Sequence, residues 1–225
     1  MNKFTRRTVI AAACAAAAMT FAPMSFAQQA PEKKDVTIAV GGKSLYYYLP
    51  LSIAEQLGYF KDEGLNVKIV DFQGGSRSLQ AVVGGSADVV SGAFEHTISM
   101  QAKKQPMTAF VLQGRAPQLA LVVSNKTMKD YKQLSDLRGK KVGVTAPGSS
   151  SQMVANFILK KGGLGPKDVA FIGVGSSSGA VSAIRSGQID ALINLDPVIT
   201  ILLKNGDAKL VADTRKVKES ESFFG

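Results

Sequence analysis

Cysteine and histidine are nearly absent from this sequence, which has one of each among 225 residues, Cys14 and His96. Cys14 lies inside an apolar N-terminal run that we interpret as a cleaved leader, so the mature chain is expected to contain no thiol. This excludes disulfides and cysteine-based metal sites. A lone histidine does not supply a zinc site either. We therefore predict neither a bound metal nor a cofactor.

Long apolar runs are also scarce. The one candidate, residues 9–22, falls short of the ~20 apolar residues that a membrane-spanning helix needs. Three basic residues precede this run, and small residues at positions 25 and 27 are typical of a cleavage site. We interpret residues 1–27 as a secretory signal peptide, cleaved after Ala27, and expect a soluble periplasmic product that begins at Gln28. The sequence leaves open whether the Sec or the twin-arginine pathway exports it.

The charge balance is basic, with 27 Lys and Arg against 17 Asp and Glu and a formal net charge of +10. No cluster of interleaved basic and aromatic residues accompanies this excess, which argues against a nucleic-acid partner. A basic field of this kind favours an anionic small ligand.

Residues 64–100 form the stretch around which the rest of the chain is organised. Residues 67–72 are typical of a short buried strand, and the apolar face of residues 79–83 predicts a helix that ends at Gly84-Gly85. A second strand is predicted at 87–90, and a second helix opens at Phe94. This spacing predicts a βαβ unit whose two strands are parallel neighbours. Open α/β sheets bind ligands at the edge where such strands end.

The second half of the chain repeats the first. Strands are predicted at 36–40, 107–113, 119–123, 142–144, 169–174 and 189–195, and helices at 49–57, 153–159 and 180–184. An offset of 102 residues places Asp88 on Asp190 and Ser76 on Ser178. The sequence therefore predicts an α/β fold of two βαβ lobes, residues 28–118 and 119–213, with the start of a return segment at 214–225. The cleft between two such lobes is a favoured ligand site.

Three short loops rich in glycine or serine each open a predicted helix: residues 73–76, 147–151 and 175–178. Helix N-termini leave backbone N–H groups unpaired and carry the positive end of the helix dipole, so added serine hydroxyls favour an anion there. An ordinary capping role explains any single serine. Three such loops at matching positions favour a binding site.

Other side chains near the predicted strand ends are further candidates. Glu95 and His96 stand at a helix start, where a ligand contact and a local capping role both fit. Asp196 either caps a turn or accepts from an amino group of the ligand. The candidate ligand-binding residues are Lys43, Tyr46, Gln73, Gly74, Gly75, Ser76, Phe94, Glu95, His96, Gln113, Arg115, Gly148, Ser149, Ser150, Ser151, Ser176 and Asp196.

Three motifs point to other chemistries. Gly42-Lys43-Ser44 resembles the end of a P-loop, but Thr37 stands where that motif has glycine. The glycines of residues 173–179 depart from the spacing of a dinucleotide fingerprint. Residues 175–179 match the nucleophile elbow, which leaves open a secreted serine hydrolase that uses Ser177. The fold that carries the elbow places its histidine after the serine, whereas His96 precedes it.

Two stretches carry a family resemblance: YYYLPLSIAEQLGYFKDEGLNVKIVDFQGGSRSLQAVVGGSADVVSGAFEHT (46–97) and LRGKKVGVTAPGSSS (137–151). Together with the leader, they resemble the nitrate, sulfonate and taurine branch of ABC-importer substrate-binding proteins, which also includes thiamine-precursor binders. The similarity runs from Val36 to the end, and residues 49–96 are its specific part. The resemblance implies a periplasmic-binding-protein type II fold with cleft positions at 73–76, 92–96, 148–151 and 196.

Members of that family return from the second lobe to finish the first with further helices. This chain stops at Phe223-Phe224-Gly225, where the return would begin, so we expect a C-terminally truncated sequence whose first lobe lacks part of its covering layer. We predict a non-enzymatic, monomeric receptor that delivers a small anion to an ABC permease in the inner membrane. A pyrimidine or thiamine-precursor binder of the same fold remains the alternative, and the serine hydrolase is the alternative of another class.

Overall fold

The computed structural model describes residues 31–224, without the side chains of residues 222–224. The predicted leader and the cleavage site at Ala27 lie outside the described residues. Within the described range no helix is long and apolar enough to cross a membrane.

The N-terminal half contains a three-stranded parallel sheet. Its strands are β1 (Asp35–Val40), β2 (Asn66–Asp71) and β3 (Val89–Ser91), in the order β2-β1-β3. A 3₁₀ turn, Tyr46–Tyr48, leads into α1 (Leu49–Gln56), and α2 (Tyr59–Asp62), α3 (Gly75–Val83) and α4 (Glu95–Ala102) follow.

One prediction for this sheet is wrong: β2 and β3 are not neighbours. Both pair with β1, which lies between them with Ile38 opposite Ile69 on one side and Val89 on the other. Ala39 and Val40 of β1 are fully buried. A strand buried on both faces needs a hydrogen-bonding partner along each edge, so β1 takes the central position.

The C-terminal half contains a mixed five-stranded sheet. Its strands are β4 (Ala120–Ser124), β5 (Lys141–Val144), β6 (Ala170–Gly173), β7 (Ala191–Asn194) and β8 (Ala208–Asp213), in the order β6-β5-β7-β4-β8. The helices are α5 (Ser150–Lys161), α6 (Ser178–Ser186), α7 (Val198–Lys204) and α8 (Val217–Phe224), with a 3₁₀ turn at Leu134–Leu137. β4 runs antiparallel to β7 and β8, and the remaining pairs are parallel.

The predicted internal repeat is confirmed by two identical arrangements of hydrogen bonds. Asp88 exchanges two bonds with the backbone of Thr37: its Oδ2 accepts from the Thr37 N–H at 2.8 Å, and its own N–H donates to the Thr37 carbonyl at 2.9 Å. Asp190 does the same with Lys141, at 2.9 and 2.8 Å. Each aspartate thus binds the backbone of the central strand of its unit, β1 or β5.

The strand predicted at 107–113 is absent, which corrects the sequence analysis. Within the described chain these residues form no backbone–backbone hydrogen bond, and Phe110, Val111 and Leu112 are exposed. The segment lines an apolar groove of about 780 Å³ together with residues of α1, β3 and the start of α4. A strand needs a neighbouring strand to satisfy its backbone, and none of the described strands pairs with this segment.

The two halves share a buried core. Val40 and Tyr48 belong to the same buried cluster as Leu121 and Ile193. Just before β4, the N–H of Gln118 donates to the carbonyl of Thr214, which follows β8, at 3.1 Å. The lobe boundaries at 118 and 213 stay predictions.

We expect Thr214→Val to lower the free energy of unfolding by about 1–2 kcal/mol. The fully buried Thr214 hydroxyl donates to the Leu119 carbonyl at 2.8 Å and lies 3.3 Å from the Leu119 N–H. Because the Thr214 N–H also donates to that carbonyl, an isosteric methyl removes one of the carbonyl's two hydrogen bonds and the acceptor of the buried Leu119 N–H. Urea denaturation measures this loss, and Thr127→Val is the control because its hydroxyl makes no hydrogen bond within the described residues. Equal stabilities would contradict the role of Thr214 in joining the segment before β4 to the segment after β8.

Candidate functional site

The loops that follow the three strands of the N-terminal sheet converge at one edge. A Cβ on Gly41, after β1, would lie 2.5 Å from the backbone carbonyl carbon of Gly74 and the nitrogen of Gly75, after β2. A Cβ on Gly75 would lie 3.3 Å from Nε2 of His96, after β3. The carboxyl ends of parallel strands meet at a common sheet edge, which is why three separate loops form one surface.

Side chains that were not among the candidates hold these loops in place. Asp71 Oδ1 accepts from the N–H groups of Gly42 and Lys43, both at 2.8 Å. The Tyr48 hydroxyl accepts from the Gly41 N–H at 3.0 Å, and the Tyr47 hydroxyl donates to the Gly92 carbonyl at 3.1 Å. The two tyrosine rings pack edge to face with centroids 5.0 Å apart.

These tyrosines act as neutral hydrogen-bonding groups. Burial raises the pKa of Tyr47, and the nearby Glu95 carboxylate adds to that rise. Burial likewise raises the pKa of Tyr48 above its ordinary value. The candidate Tyr46, by contrast, has a 62% exposed side chain. The sequence does not indicate which of three consecutive tyrosine rings turns inward. The glycines that the two buried tyrosines contact, Gly41 after β1 and Gly92 after β3, were visible as loop residues.

The loops of the C-terminal sheet face this edge directly. A Cβ on Gly74 would lie 2.8 Å from the Cβ of Ala146, after β5, and a Cβ on Gly175, after β6, would lie 3.4 Å from Gln73 Nε2. The N–H of Tyr46 donates to the Asp196 carbonyl, after β7, at 3.0 Å. The strand-end loops of both sheets therefore lie against each other.

Ser76 and Ser149 meet at the centre of this junction. The Ser76 N–H, in the first turn of α3, donates to Ser149 Oγ at 3.0 Å, and the Ser76 hydroxyl donates to the Pro147 carbonyl at 2.9 Å. Ser149 Oγ also lies 3.2 Å from Ser76 Oγ. Ser149 is 2% exposed, and Gly148 lies beside Ser76. Two of the predicted anion-binding loops thus contact one another.

Two other candidate serines lie inside the protein. Ser151 is fully buried, and its hydroxyl contacts the N–H and hydroxyl of Thr145 at 3.1 and 2.8 Å. Ser176 is 6% exposed and packs against Gly42, where a Cβ would collide with its side chain. Ser150 is partly exposed at the first position of α5. Among the candidate serines of these two loops, Ser150 is therefore the most accessible.

Glu95 and His96 carry buried polar atoms without a partner. Oε1 of Glu95 and Nε2 of His96 make no hydrogen bond within the described residues, and His96 is 6% exposed. Burial raises the pKa of Glu95 and lowers the pKa of His96, which the positive charge of Lys103 lowers further. Unpaired buried polar atoms are costly in a folded protein and are typical of functional sites.

The charged candidates are mostly neutralised by neighbours. Asp196 Oδ1 accepts from the N–H and hydroxyl of Thr200, at 3.0 and 2.8 Å, and its Oδ2 lies 3.2 Å from Arg215 Nη1. The capping interpretation of Asp196 is therefore confirmed. Lys43 forms an ion pair with Glu55 at 2.6 Å.

The remaining candidates line or approach the apolar groove. Gln113 accepts from the Ser91 hydroxyl at 2.6 Å, and both residues lie on the groove wall. Phe94 also lines the groove and is 67% exposed. Arg115 is exposed, and its side chain makes no hydrogen bond or ion pair to the loops of the junction within the described residues.

We expect the stability of the protein to fall as the pH drops below about 6.5, and His96→Gln to reduce that fall. The folded-state pKa of His96 lies below its unfolded value of about 6.5, so the unfolded chain takes up a proton first. Stability from this group is present above pH 6.5 and is lost as the pH falls, by at most about 1.4 kcal/mol per pH unit. Thermal melts at pH 7.5 and 5.5 measure it. Identical pH dependence in the variant would contradict a buried neutral imidazole.

The described residues form neither a metal-binding cluster nor a hydrogen-bonded serine nucleophile. Residues 31–224 contain no group of three His, Cys, Asp or Glu side chains placed to hold a metal ion. Ser177 is exposed, and no hydrogen bond joins its hydroxyl to a titratable side chain within that range. The nucleophile-elbow hypothesis therefore gains no support from the geometry.

Comparison with known proteins gives one family and several relatives. A family model described as NMT1/THI5 like matches residues 46–213. Among curated proteins, the 4-amino-5-hydroxymethyl-2-methylpyrimidine phosphate synthase of Schizosaccharomyces pombe is 26% identical over 72% of this chain and 45% of its own length. The putative binding protein YtlA of Bacillus subtilis is 25% identical over 94% of this chain and 63% of its own.

Two solved structures resemble the whole described fold. A protein from Bordetella bronchiseptica RB50 has 62% identity and a TM-score of 0.84, over 86% of this chain and 61% of that one. The alkanesulfonate-binding protein SsuA from Xanthomonas axonopodis pv. citri, bound to MOPS, has 24% identity and a TM-score of 0.66, over 82% and 62%. The chain thus spans about half to three fifths of the length of these relatives.

Proposed function

This chain belongs to the NMT1/THI5-like family, and from that premise we propose that it is the solute receptor of an ABC importer. It binds a small anion at the junction of the strand-end loops and delivers it to a membrane permease, after export to the periplasm. The observation that carries this proposal is that six strand-end loops from two sheets face each other, with the N-terminus of α3 between them.

The fold supports a receptor. It is a type II periplasmic-binding-protein fold, shared with the alkanesulfonate-binding protein. Proteins of this architecture hold a small ligand between two bodies that close by a hinge. We place such a hinge at the hydrogen-bonded segments around Gln118 and Thr214. The name of the Bacillus relative, a putative binding protein, agrees with this assignment.

The electrostatics favour an anion held by neutral donors. The first turn of α3 presents backbone N–H groups and the positive end of a helix dipole, and the partly exposed Ser150 stands at the start of α5. Such donors bind an oxyanion without burying an unpaired lysine, which is costly. The nearby Asp196 does not oppose this, because Arg215 compensates its charge.

Glu95 narrows the expected chemistry of the ligand. Its Oε1 is buried and unpaired close to the junction, so a bare anion beside its ionised form would be repelled. In a ligand that carries both groups, as taurine does, the amino group would pair with the Glu95 carboxylate and the oxyanion would bind the donors at the N-terminus of α3. A ligand with a single negative group would require Glu95 to be protonated, which its raised pKa favours.

A pyrimidine-type ligand is the second candidate. Several curated relatives, including the one from Schizosaccharomyces pombe, are named as pyrimidine phosphate synthases. Here, Tyr47 and Phe94 supply aromatic surface beside the unpaired atoms of Glu95 and His96. Aromatic faces and a few polar atoms are what a flat heterocycle needs.

A thermal-shift panel of nitrate, sulfate, taurine, alkanesulfonates and aminopyrimidines tests the ligand class. At a hundredfold excess over its dissociation constant, a true ligand stabilises the fold by roughly 2.7 kcal/mol, a melting shift of about 5–10 °C for a chain of this size. Ser150→Ala should reduce the response to the anion, whereas Ser135→Ala, in the distant 3₁₀ turn, should leave it unchanged. A response to neutral or cationic compounds alone would overturn the anion proposal.

A further inference from the structure

The contact between Ser76 and Ser149 occupies the place that the proposed function gives to the anion. The Ser76 N–H belongs to the first turn of α3, and its hydrogen bond goes to Ser149 Oγ at 3.0 Å. A second hydrogen bond, from the Ser76 hydroxyl to the Pro147 carbonyl, ties the same two loops at 2.9 Å. An oxygen from a loop of the C-terminal sheet, Ser149 Oγ, therefore accepts a hydrogen bond from the N-terminus of α3, which follows a strand of the N-terminal sheet.

A second, independent feature marks the same N-terminus as a ligand position. His96 is more than nine-tenths buried, and its Nε2 has no partner within the described chain. That atom faces Gly75, the residue that precedes Ser76, at 3.3 Å from where a Cβ would stand. A buried imidazole nitrogen is left unpaired at a cost, and a ligand at the start of α3 would supply its partner.

We propose that Ser149 is an internal competitor of the ligand: its hydroxyl binds the N-terminus of α3 and holds the two sheets' loops together until an anion displaces it. This rests on the proposed function, since it concerns regulation of the same site. The close approach of Gly74 to Ala146 permits closure without a ligand, because side chains larger than hydrogen at position 74 would hold the loops apart. We call this contact between Ser149 and Ser76 the latch. A ligand displaces it only if the ligand binds the N-terminus of α3 more strongly than the Ser149 hydroxyl does.

The competing explanation is that Ser149 is an ordinary donor to the ligand. The two explanations predict opposite effects of removing its hydroxyl. A ligand donor contributes to affinity, so its loss weakens binding. A competitor opposes binding, so its loss frees the Ser76 N–H and tightens binding by the worth of one hydrogen bond, about fivefold.

Calorimetric titration of sulfate and methanesulfonate into wild type, Ser149→Ala and Ser135→Ala decides between them. We expect Ser149→Ala to bind about fivefold more tightly and Ser135→Ala to match wild type, since the Ser135 hydroxyl makes no hydrogen bond within the described residues. Weaker or unchanged binding by Ser149→Ala would overturn the proposal.

Cysteine cross-linking tests the latch even if neither anion binds. The natural thiol is removed by Cys14→Ala, and Ser76→Cys is combined with Ser149→Cys in that background. The hydroxyl oxygens are 3.2 Å apart, so ligand-free protein should form the disulfide rapidly, and a binding anion should slow its formation. A pair of Ser76→Cys with Ser135→Cys should remain reduced.

The titrations test the proposed anionic ligand, and the cross-linking tests the contact between Ser76 and Ser149. Failure of both anions to bind, with rapid cross-linking, would remove the proposed ligand class and leave the latch in place. A Ser76–Ser149 pair that stays reduced in ligand-free protein would overturn the latch whatever the titrations give.

Discussion

Gly74→Ala should be among the most disruptive single substitutions in the protein, with an expected loss of about 2–6 kcal/mol in the free energy of unfolding. Gly74 has φ +90° and ψ 159°, a region open in practice to glycine alone, which costs other residues about 1–3 kcal/mol. The added Cβ would lie 2.8 Å from the Cβ of Ala146, and such overpacking costs about another 1–3 kcal/mol. Urea denaturation of the two proteins, wild type and Gly74→Ala, measures the sum.

Gly85→Ala is the matched control for the backbone contribution. Gly85 also has a positive φ, +75°, but a Cβ there would meet nothing within 4 Å, so we expect a loss of only about 1–2 kcal/mol. The difference between the two variants reports the contact between the sheets' loops. If Gly74→Ala cost no more than Gly85→Ala, the loops at the junction would not be in contact in solution.

The parts of the fold that could be predicted from sequence are those with local signals. Apolar runs and glycine punctuation located strands β1 to β7 and helices α1, α3, α5 and α6, because these signals are local. Strand order is not local. The βαβ spacing predicted β2 and β3 as neighbours, but the burial of Ala39 and Val40 places β1 between them.

Two errors in the element assignment have different causes. The apolar residues 107–113 have the composition of a strand, but a strand also requires a partner for its backbone, and sequence composition does not locate one. In contrast, α7 and β8 were missed although their signals were present. Asp196 and Pro197 are a capping residue and a helix-start proline, and an apolar run follows them.

The site shows the same division. The loops at 73–76, 92–96 and 147–149 could be predicted because strand ends, glycines and serines mark them, and the structure brings all three together. Two contacts could not be predicted from the sequence: the hydrogen bond between Ser76 and Ser149, and the hydrogen bond of the buried Ser151 with Thr145. Both depend on how neighbouring elements pack, so identical serines in one loop acquire different partners.

Arg215 was not predicted from sequence, and its removal should also have a large effect. Its guanidinium donates to Asp213 Oδ1 and Oδ2 at 2.8 and 2.6 Å and lies 3.2 Å from Asp196 Oδ2. The three side chains are each 24% exposed. We expect Arg215→Met to lower the free energy of unfolding at pH 7 by about 2–4 kcal/mol, because it keeps the apolar stem and leaves two partly buried carboxylates without their shared cation.

The pH dependence of this loss distinguishes the ion pairs from lost packing. Hydrogen bonding to Arg215 holds the pKa of Asp213 below its ordinary value. Stability from that group is therefore present above the unfolded value of about 3.9 and is lost as the pH falls through the folded pKa. The difference between wild type and Arg215→Met, measured by urea denaturation, should be constant from pH 7 to 5 and shrink below about pH 4.

Arg185→Met is the control for a single exposed pair. Arg185 bonds Asp207 alone, at 2.8 Å, and is 48% exposed, so its loss should cost no more than about 1 kcal/mol. Because Asp196 follows β7 and its carbonyl accepts from Tyr46, Arg215→Met should also loosen the junction and weaken ligand binding, whereas Arg185→Met should not. A loss in Arg215→Met that matched Arg185→Met, or that did not change with pH, would show that the shared cation does not hold this end of the site.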